Sequence, residues 1–449
     1  MSNRLLAKYD QRVPRYTSYP TAPQFHAGVD AGSYRAWLSG LDRALPLSLY
    51  LHIPFCDSLC WFCGCHTKVV RRYDPVAAYF DVLLREIDLV AELLGPGRRV
   101  CHIHLGGGTP TILEPADMAR LFARLRARFD VEPDADIAIE NDPREFNPDL
   151  VRVMAEAGVT RASLGLQDIN LQVQQAVNRV QSLDETRRVA DALREAGISS
   201  INIDLMYGLP HQTLGRVLRT IDAALELKPE RICLFGYAHV PWMKKHQRLI
   251  DEAALPDAEE RFAQYMGVAK YLQHAGYDWI GLDHFALPGD ALSRAARDGT
   301  LHRNFQGYTT DSAQLRLGFG PSAIGMLPEG FVQNEVTLHG YREAVQAGEL
   351  PIARGLELKD DDRLRAAVIE RLMCFLRVDL AEVCRAHGQE AGAFADEMEA
   401  LLPLQADGLV RVTGSKLKVT AKGRPFLRRV CAVFDRYLEP AETRHAQVV

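Results

Sequence analysis

The sequence predicts an α/β protein: a partial (β/α)6 TIM-like barrel, preceded by an N-terminal arm and followed by a mostly helical, winged-helix-like domain. Three observations predict it. From residue 46 onward, apolar strand-like runs alternate with amphipathic helical stretches, the rhythm of parallel strands covered by helices. Polar or glycine residues stand just beyond successive strand ends, where the sites of barrels gather. After residue 359 the rhythm gives way to helices and a small hairpin.

The elements follow in order. Residues 1–45 carry Pro14, Pro20 and Pro23 with little periodicity and read as an arm lying on the barrel. LSLYLHI (47–53) is the first strand and 75–94 the first helix; VCHIHL (100–105) and EPADMARLFARLRARF continue the pattern. IAIEN (137–141), a helix near 148–157, RASLGLQ (161–167), a helix over 184–196, INIDLMYG (201–208), a helix over 213–226 and RICLFGYAHV (231–240) complete six units. Beyond 241 a long helix over 256–275 and the strand DWIGLDHFA extend the barrel domain, 46–300. LHRNFQGYTT opens an irregular connecting and active-site segment, 301–358. The unit 359–449 holds helices near 360–377, 390–403 and 424–437, with strands LVRVT and KLKVT around Gly414-Ser415.

Composition narrows the class. With 47% hydrophobic and 25% charged residues the chain is an ordinary globular one, not collagen-like, coiled-coil or disordered. The 53 basic and 58 acidic residues leave a net charge of -5, so no global field draws it to nucleic acid or an anionic membrane. No apolar run is long enough to span a bilayer, and MSNRLLAKYDQRVPRYTSYP lacks the apolar core of a secretory signal, so a cytoplasmic, monomeric protein is expected. Of nine cysteines, Cys56, Cys60, Cys63 and Cys65 crowd one loop, while Cys101, Cys233, Cys374, Cys384 and Cys431 stand in apolar surroundings as small buried side chains.

HIPFCDSLCWFCGC places CxxxCxxCxC directly after a strand. Three thiolates at spacings of four and three can hold three corners of a four-iron cluster, leaving the fourth iron open to a small molecule. A closed zinc site that uses Cys65 as its fourth ligand is the alternative on spacing alone. LGGGTPT ends the second strand, where glycines let backbone approach a ligand; Glu140, Gln167, Arg179 and Asp204 lie at or near later strand ends on the same rim.

With these residues the chain resembles the radical S-adenosylmethionine superfamily, and within it the family of oxygen-independent coproporphyrinogen III oxidases. PRYTSYPTA, YLHIPFCDSLCWFCGC, IENDPREF, NIDLMYGLP, LDHFALP and HRNFQGYTT carry the narrower likeness, and Cys65 with the PRYTSYP arm separates it from heme-chaperone relatives. The resemblance implies one 4Fe-4S cluster on Cys56, Cys60 and Cys63, and S-adenosyl-L-methionine on its open iron, with two molecules in one site. It implies that Tyr50 packs near the cluster and that Phe62 lies against an adenine. Gly107, Gly108, Thr109, Glu140, Gln167, Arg179, Asp204, Ala238 and Ile324 would line the cofactor space.

The implied reaction is oxidative decarboxylation of two propionates of coproporphyrinogen III to vinyls, giving protoporphyrinogen IX in heme synthesis. A deoxyadenosyl radical takes a hydrogen from the propionate β carbon, and loss of carbon dioxide and one electron forms the vinyl. A reductant for the cluster and an electron acceptor are further partners. Cys65 and Tyr50 are the catalytic candidates, and Arg15 and Arg303 are candidates for the substrate carboxylates because guanidinium groups bind them bidentately. Asn141 and the basic stretch WMKKHQR (242–248) depart from the family pattern. Two other readings are a heme-binding chaperone, and a nucleic-acid binder using the six basic residues of KLKVTAKGRPFLRR. Heme binding without turnover, or salt-dependent DNA binding, would favour them.

Overall fold

A computed structural model describes residues 3–390 and 392–438. Residues 439–449 of the expected C-terminal unit lie outside the described residues. Six strands follow one another in space as in sequence: β1 Leu47–Ile53, β2 Arg99–Gly107, β3 Asp130–Asn141, β4 Arg161–Gln167, β5 Ser200–Tyr207 and β6 Arg231–Gly236. Each pair is parallel, as β-helix-β connections require. The crossover helices Asp74–Leu94, Pro115–Arg128, Pro148–Glu156, Leu183–Glu195 and Leu214–Glu226 start at Pro or at Ser, Thr and Asn caps. Ser182 and Glu185 form a reciprocal capping box, and so do Asp257 and Glu260 at the start of Ala258–His274. The apolar faces of these helices and strands make one core, with Leu47, Leu51, Ile53, Phe80, Ile103, Leu105, Leu164 and Ile203 fully enclosed.

The sheet runs on past the six units at both edges. β7 Asp278–Ile280 and β8 His284–Ala286 add antiparallel strands beside β6. On the other edge β9 Leu315–Phe319 pairs parallel with β1, and β10 Ile324–Met326, β11 Gly330–Asn334 and β12 Ile352–Glu357 follow antiparallel. The twelve strands run β12-β11-β10-β9-β1-β2-β3-β4-β5-β6-β8-β7, with no pairing between the two ends, so the barrel stays open. Segment 301–358 is therefore largely regular, against the irregular stretch expected. HRNFQGYTT forms the hairpin His302–Asn304 and Gly307–Thr309, whose short strands offered no readable alternation. Glu86, in the first crossover helix, fastens this edge: its carboxylate accepts from Gly320 N (2.7 Å), Asn334 Nδ2 (2.6 Å) and Tyr341 Oη (2.6 Å).

The second half of the arm lies on the barrel as expected, with Val29, Tyr34, Leu38 and Leu41 in the barrel core and a helix over Ala31–Gly40, but its first half turns elsewhere. Leu5, Leu6, Tyr9, Val13, Tyr16 and Tyr19 are buried in a second core with Leu364, Leu372, Leu417, Phe426 and Phe434 of the C-terminal unit. Buried Arg428 donates to Pro14 O at 3.0 Å and Tyr16 Oη to Asp435 at 3.0 Å. The helix Asn3–Tyr9 is too short to show a readable periodicity, so the sequence named neither its buried face nor its partner. In the C-terminal unit the first expected helix is whole, Asp360–Phe375, whereas 390–403 holds the short helix Ala395–Ala400 and the start of Leu402–Ala406, and 424–437 only Leu427–Cys431 between 3-10 turns. An unexpected helix, Leu380–Ala386, precedes them, and the expected hairpin Val410–Thr413 and Lys416–Val419 is joined by an unexpected third strand, Arg377–Asp379. Its basic stretch turns partly inward: Arg424 stacks on Trp279 (3.9 Å to the ring centroid) and donates to Gly281 O.

Candidate active site

The strand ends build the site in order. β1 ends at Ile53, and the chain leaves as a loop closed at its base by parallel pairing of Phe55-Cys56 with Lys68-Val69. β2 ends in the glycines, and Gly108 lies so close that a Cβ there would be 2.5 Å from Phe55 O. That contact brings Thr109 Oγ1 within 3.4 Å of Cys56 Sγ, while Thr67 Oγ1 lies 3.2 Å away on the other side. From the ends of β3 and β4, Arg144 Nη2 (3.6 Å) and Arg179 Nη1 (3.4 Å) reach Cys60 Sγ. The Cys65 amide donates to Cys63 Sγ at 3.4 Å.

Cys56, Cys60, Cys63 and Cys65 line one cavity of about 330 Å³ together with Phe62, Gly107, Gly108, Thr109, Glu140, Gln167, Arg179 and Asp204. Twelve residues singled out from sequence thus meet on one rim. Tyr50 does not line it: its ring stacks on His104 at 5.9 Å, one layer behind, and its hydroxyl meets His52 Nδ1 at 3.0 Å. Ile324 also lies outside the lining, because β10 folds back beside β9 and packs it near Phe305 and Phe331. Among the described residues, no three His, Cys, Asp or Glu side chains stand closely enough to hold a single metal ion.

The electrostatics suit a polyanionic thiolate group. Burial pushes Asp142 up, yet Arg144 and Arg179 outweigh it and hold its carboxyl down at about 2. The bridges are short, 2.6 Å to Arg144 Nη2 and 2.9 Å to Arg179 Nη1, so the same guanidinium groups that face Cys60 are fixed from behind. Arg179 Nε is buried without a hydrogen-bond partner. A hydrogen bond from Cys65 holds the Cys63 thiol below its usual range and leaves Cys65 well above it. Burial disfavours charge on Glu140, but His104 Nε2 (3.2 Å) and Gly107 N (3.1 Å) hold its carboxyl below the usual range. Burial carries Asp204 the other way, up to about 7, and the charge of Glu140 adds to the rise while Asn202 opposes it.

A second cleft, of about 170 Å³, opens beside the first and shares Phe235 with it. Ala238, Arg15 and Arg303 line this cleft rather than the cysteine cavity. Arg12, Arg261 and Arg428 join them, so five guanidinium groups surround one space. Arg303 lies over the Tyr308 ring at 4.4 Å, and Tyr308 itself lines the cysteine cavity. Burial and the neighbouring Arg15 charge push Arg428 down to about 10, and Asp283, 3.9 Å from Arg303 Nη1, lines the same cleft. Sequence reasoning missed Asp142, Arg144, His104, His284, Gln306, Tyr308 and Thr309, all in the cavity lining. Most stood inside quoted segments, but nothing in spacing distinguished them from their neighbours.

A half-open parallel barrel with a three-cysteine loop after its first strand and a glycine turn after its second defines a radical SAM protein, and the model of the radical SAM superfamily matches residues 50–224. The HemN C-terminal domain matches 358–426. The chain is 51% identical to oxygen-independent coproporphyrinogen III oxidase of Bradyrhizobium diazoefficiens, over 98% of each chain. It is 40% identical to that of Paracoccus denitrificans over 99% of this chain and 98% of the relative. Coproporphyrinogen III oxidase of Escherichia coli, described as a radical SAM enzyme, superposes with a TM-score of 0.91 at 40% identity, over 95% of this chain and all of that one. The chain belongs to the oxygen-independent coproporphyrinogen III oxidase family.

Proposed function

We propose that this chain catalyses oxidative decarboxylation of two propionates of coproporphyrinogen III to vinyls, giving protoporphyrinogen IX. The observation that carries the reading is the juxtaposition of a cavity lined by Cys56, Cys60, Cys63 and Cys65 and a cleft with five arginines, sharing Phe235. The thiol set fits a 4Fe-4S cluster: three sulfurs face one space, each with a nearby donor, and Gly108 leaves no room for a side chain between loop and strand. Bound at Cys56, Cys60 and Cys63, the cluster with S-adenosylmethionine supplies one-electron chemistry and hydrogen abstraction.

The chain's own residues do the rest. Arg15 and Arg303 hold substrate carboxylates, with Arg12, Arg261 and Arg428 supplying the surrounding positive field. Phe62 and the Gly107–Thr109 backbone place the cofactor, and Glu140, Gln167, Arg179 and Asp204 bind its polar groups. Gly107 and Gly108 close the wall and exclude water. Cys65 stays a thiol beside the open position rather than a fourth ligand, because a fourth ligand would leave no iron free. Two S-adenosylmethionine molecules occupy the cavity in turn or together, one consumed for each vinyl. The chain acts in the cytoplasm as a monomer, with an external reductant and electron acceptor. The test is anaerobic turnover with coproporphyrinogen III, reductant and S-adenosylmethionine. Product should form only with all three and vanish in Cys56→Ala, Cys60→Ala and Cys63→Ala; tight heme binding without product would instead indicate a chaperone.

A further inference from the structure

The cysteine loop is held from two sides. On one, Asn178 Nδ2 donates to Leu59 O (2.8 Å) and Trp61 N to Val177 O (2.9 Å). On the other lies the stretch 242–248. Lys244 Nζ donates to Cys65 O at 3.0 Å, His246 Nε2 to Cys63 O at 2.8 Å, and Gln247 Nε2 to Phe62 O at 3.1 Å. Gln247 is buried and fixed in turn, with its Oε1 accepting from Val240 N at 2.6 Å. Three side chains from one turn thus cap three carbonyls across residues 62–65, the part of the loop that carries the third cysteine. The same turn reaches the arm, since Arg12 lies over the Trp242 ring at 5.0 Å.

We propose that Lys244, His246 and Gln247 are positioning residues that clamp the third cysteine of the loop, and that the Lys244 ammonium makes the cluster easier to reduce. The inference rests on the cluster assignment to Cys56, Cys60 and Cys63. Its physical basis is direct. A bound cluster gains negative charge on reduction, and a fixed cation near its ligands favours the reduced state. The Lys244 ammonium reaches the Cys65 carbonyl at 3.0 Å, two residues beyond the third cysteine. His246 and Gln247, through their bonds to Cys63 O and Phe62 O, hold the loop against opening.

The experiment compares reconstituted wild type with Lys244→Met, Lys244→Arg and His246→Ala. Cluster midpoint potential is read by redox titration with electron paramagnetic resonance, and iron release by transfer to a chelator. In Lys244→Met the reduction equilibrium should fall about threefold to tenfold, where tenfold is 59 mV for one electron; Lys244→Arg should restore it. His246→Ala should release iron several-fold faster at an almost unchanged potential. A Lys244→Met cluster with wild-type potential overturns the charge role, and wild-type iron release in His246→Ala overturns the clamp. If Lys244→Met stays folded but takes up no cluster while Lys244→Arg does, the cationic strap is supported. If both fail alike, the position acts by packing alone and the proposal falls. Wild type that takes up no iron overturns the cluster assignment itself, a result separate from any difference among variants.

Discussion

Gly108→Ala puts the geometry of the loop to a sharp test. Its Cβ would stand 2.5 Å from Phe55 O, 2.8 Å from Phe55 N and 2.9 Å from Phe55 C, all backbone atoms that cannot rotate away. Ordinary contact needs about 3.4 Å or more, so strand and loop must part by nearly an ångström. Two hydrogen bonds bridge that seam, Gly108 N to Ile53 O at 2.8 Å and Thr109 N to Phe55 O at 2.7 Å, and both would stretch beyond useful length. At about 1 kcal/mol net for each, with a further 1–3 kcal/mol for overpacking, the cost is about 3–5 kcal/mol. Thr109 would also draw back from Cys56. Gly64→Ala, in the facing cysteine loop, is the control, since nothing lies within 4 Å of its Cβ position. Urea unfolding of the apo chain and iron content after reconstitution measure both effects. Gly108→Ala with wild-type stability and full iron would refute the argument, as would equal damage from Gly64→Ala.

Glu86 gives a pH dependence. Burial raises its carboxyl from 4.5 to about 7 despite three donors, so the folded state binds the proton more tightly than the unfolded one. Its stabilising contribution is complete below pH 4.5 and is lost as pH rises through 7, a change of about 3 kcal/mol relative to Glu86→Gln; parallel stabilities of the two proteins across that window would contradict it. Cys65→Ser should keep its iron and cluster spectrum yet lose most product formation, and lost iron would make Cys65 a ligand after all. Deleting residues 1–21 removes Leu5, Leu6, Tyr9, Val13, Tyr16 and Tyr19 from the second core. At roughly 1.5–3 kcal/mol per buried side chain, this should leave the C-terminal unit open to protease while the barrel core stays resistant; equal resistance of both would show that the arm is dispensable.

Much of the fold was legible because the barrel strands carry an apolar residue at every second position, Leu47, Leu49, Leu51 and Ile53 in LSLYLHI and Ile201, Ile203 and Leu205 in INIDLMY, all in the main core. The edge strand β10 was not, since its three residues, Ile324–Met326, carry too few side chains to show alternation. The rim residues were legible where chemistry is concentrated, in the cysteines and glycines. Arg144 and Asp142 were not, because an Arg that steadies a thiol looks in sequence like any strand-end ion pair. Arg15 and Arg303 were chosen for charge alone, and only the fold shows them in one cleft with three further arginines from distant segments.

The most direct test of the account is a count of vinyl groups formed against S-adenosylmethionine consumed, in one anaerobic reaction on coproporphyrinogen III. Each converted propionate loses carbon dioxide and two hydrogens, so the account requires a divinyl product and one S-adenosylmethionine spent for each vinyl. Consumption of S-adenosylmethionine with an intact tetracarboxylate recovered, by a protein carrying its full complement of iron, would contradict it.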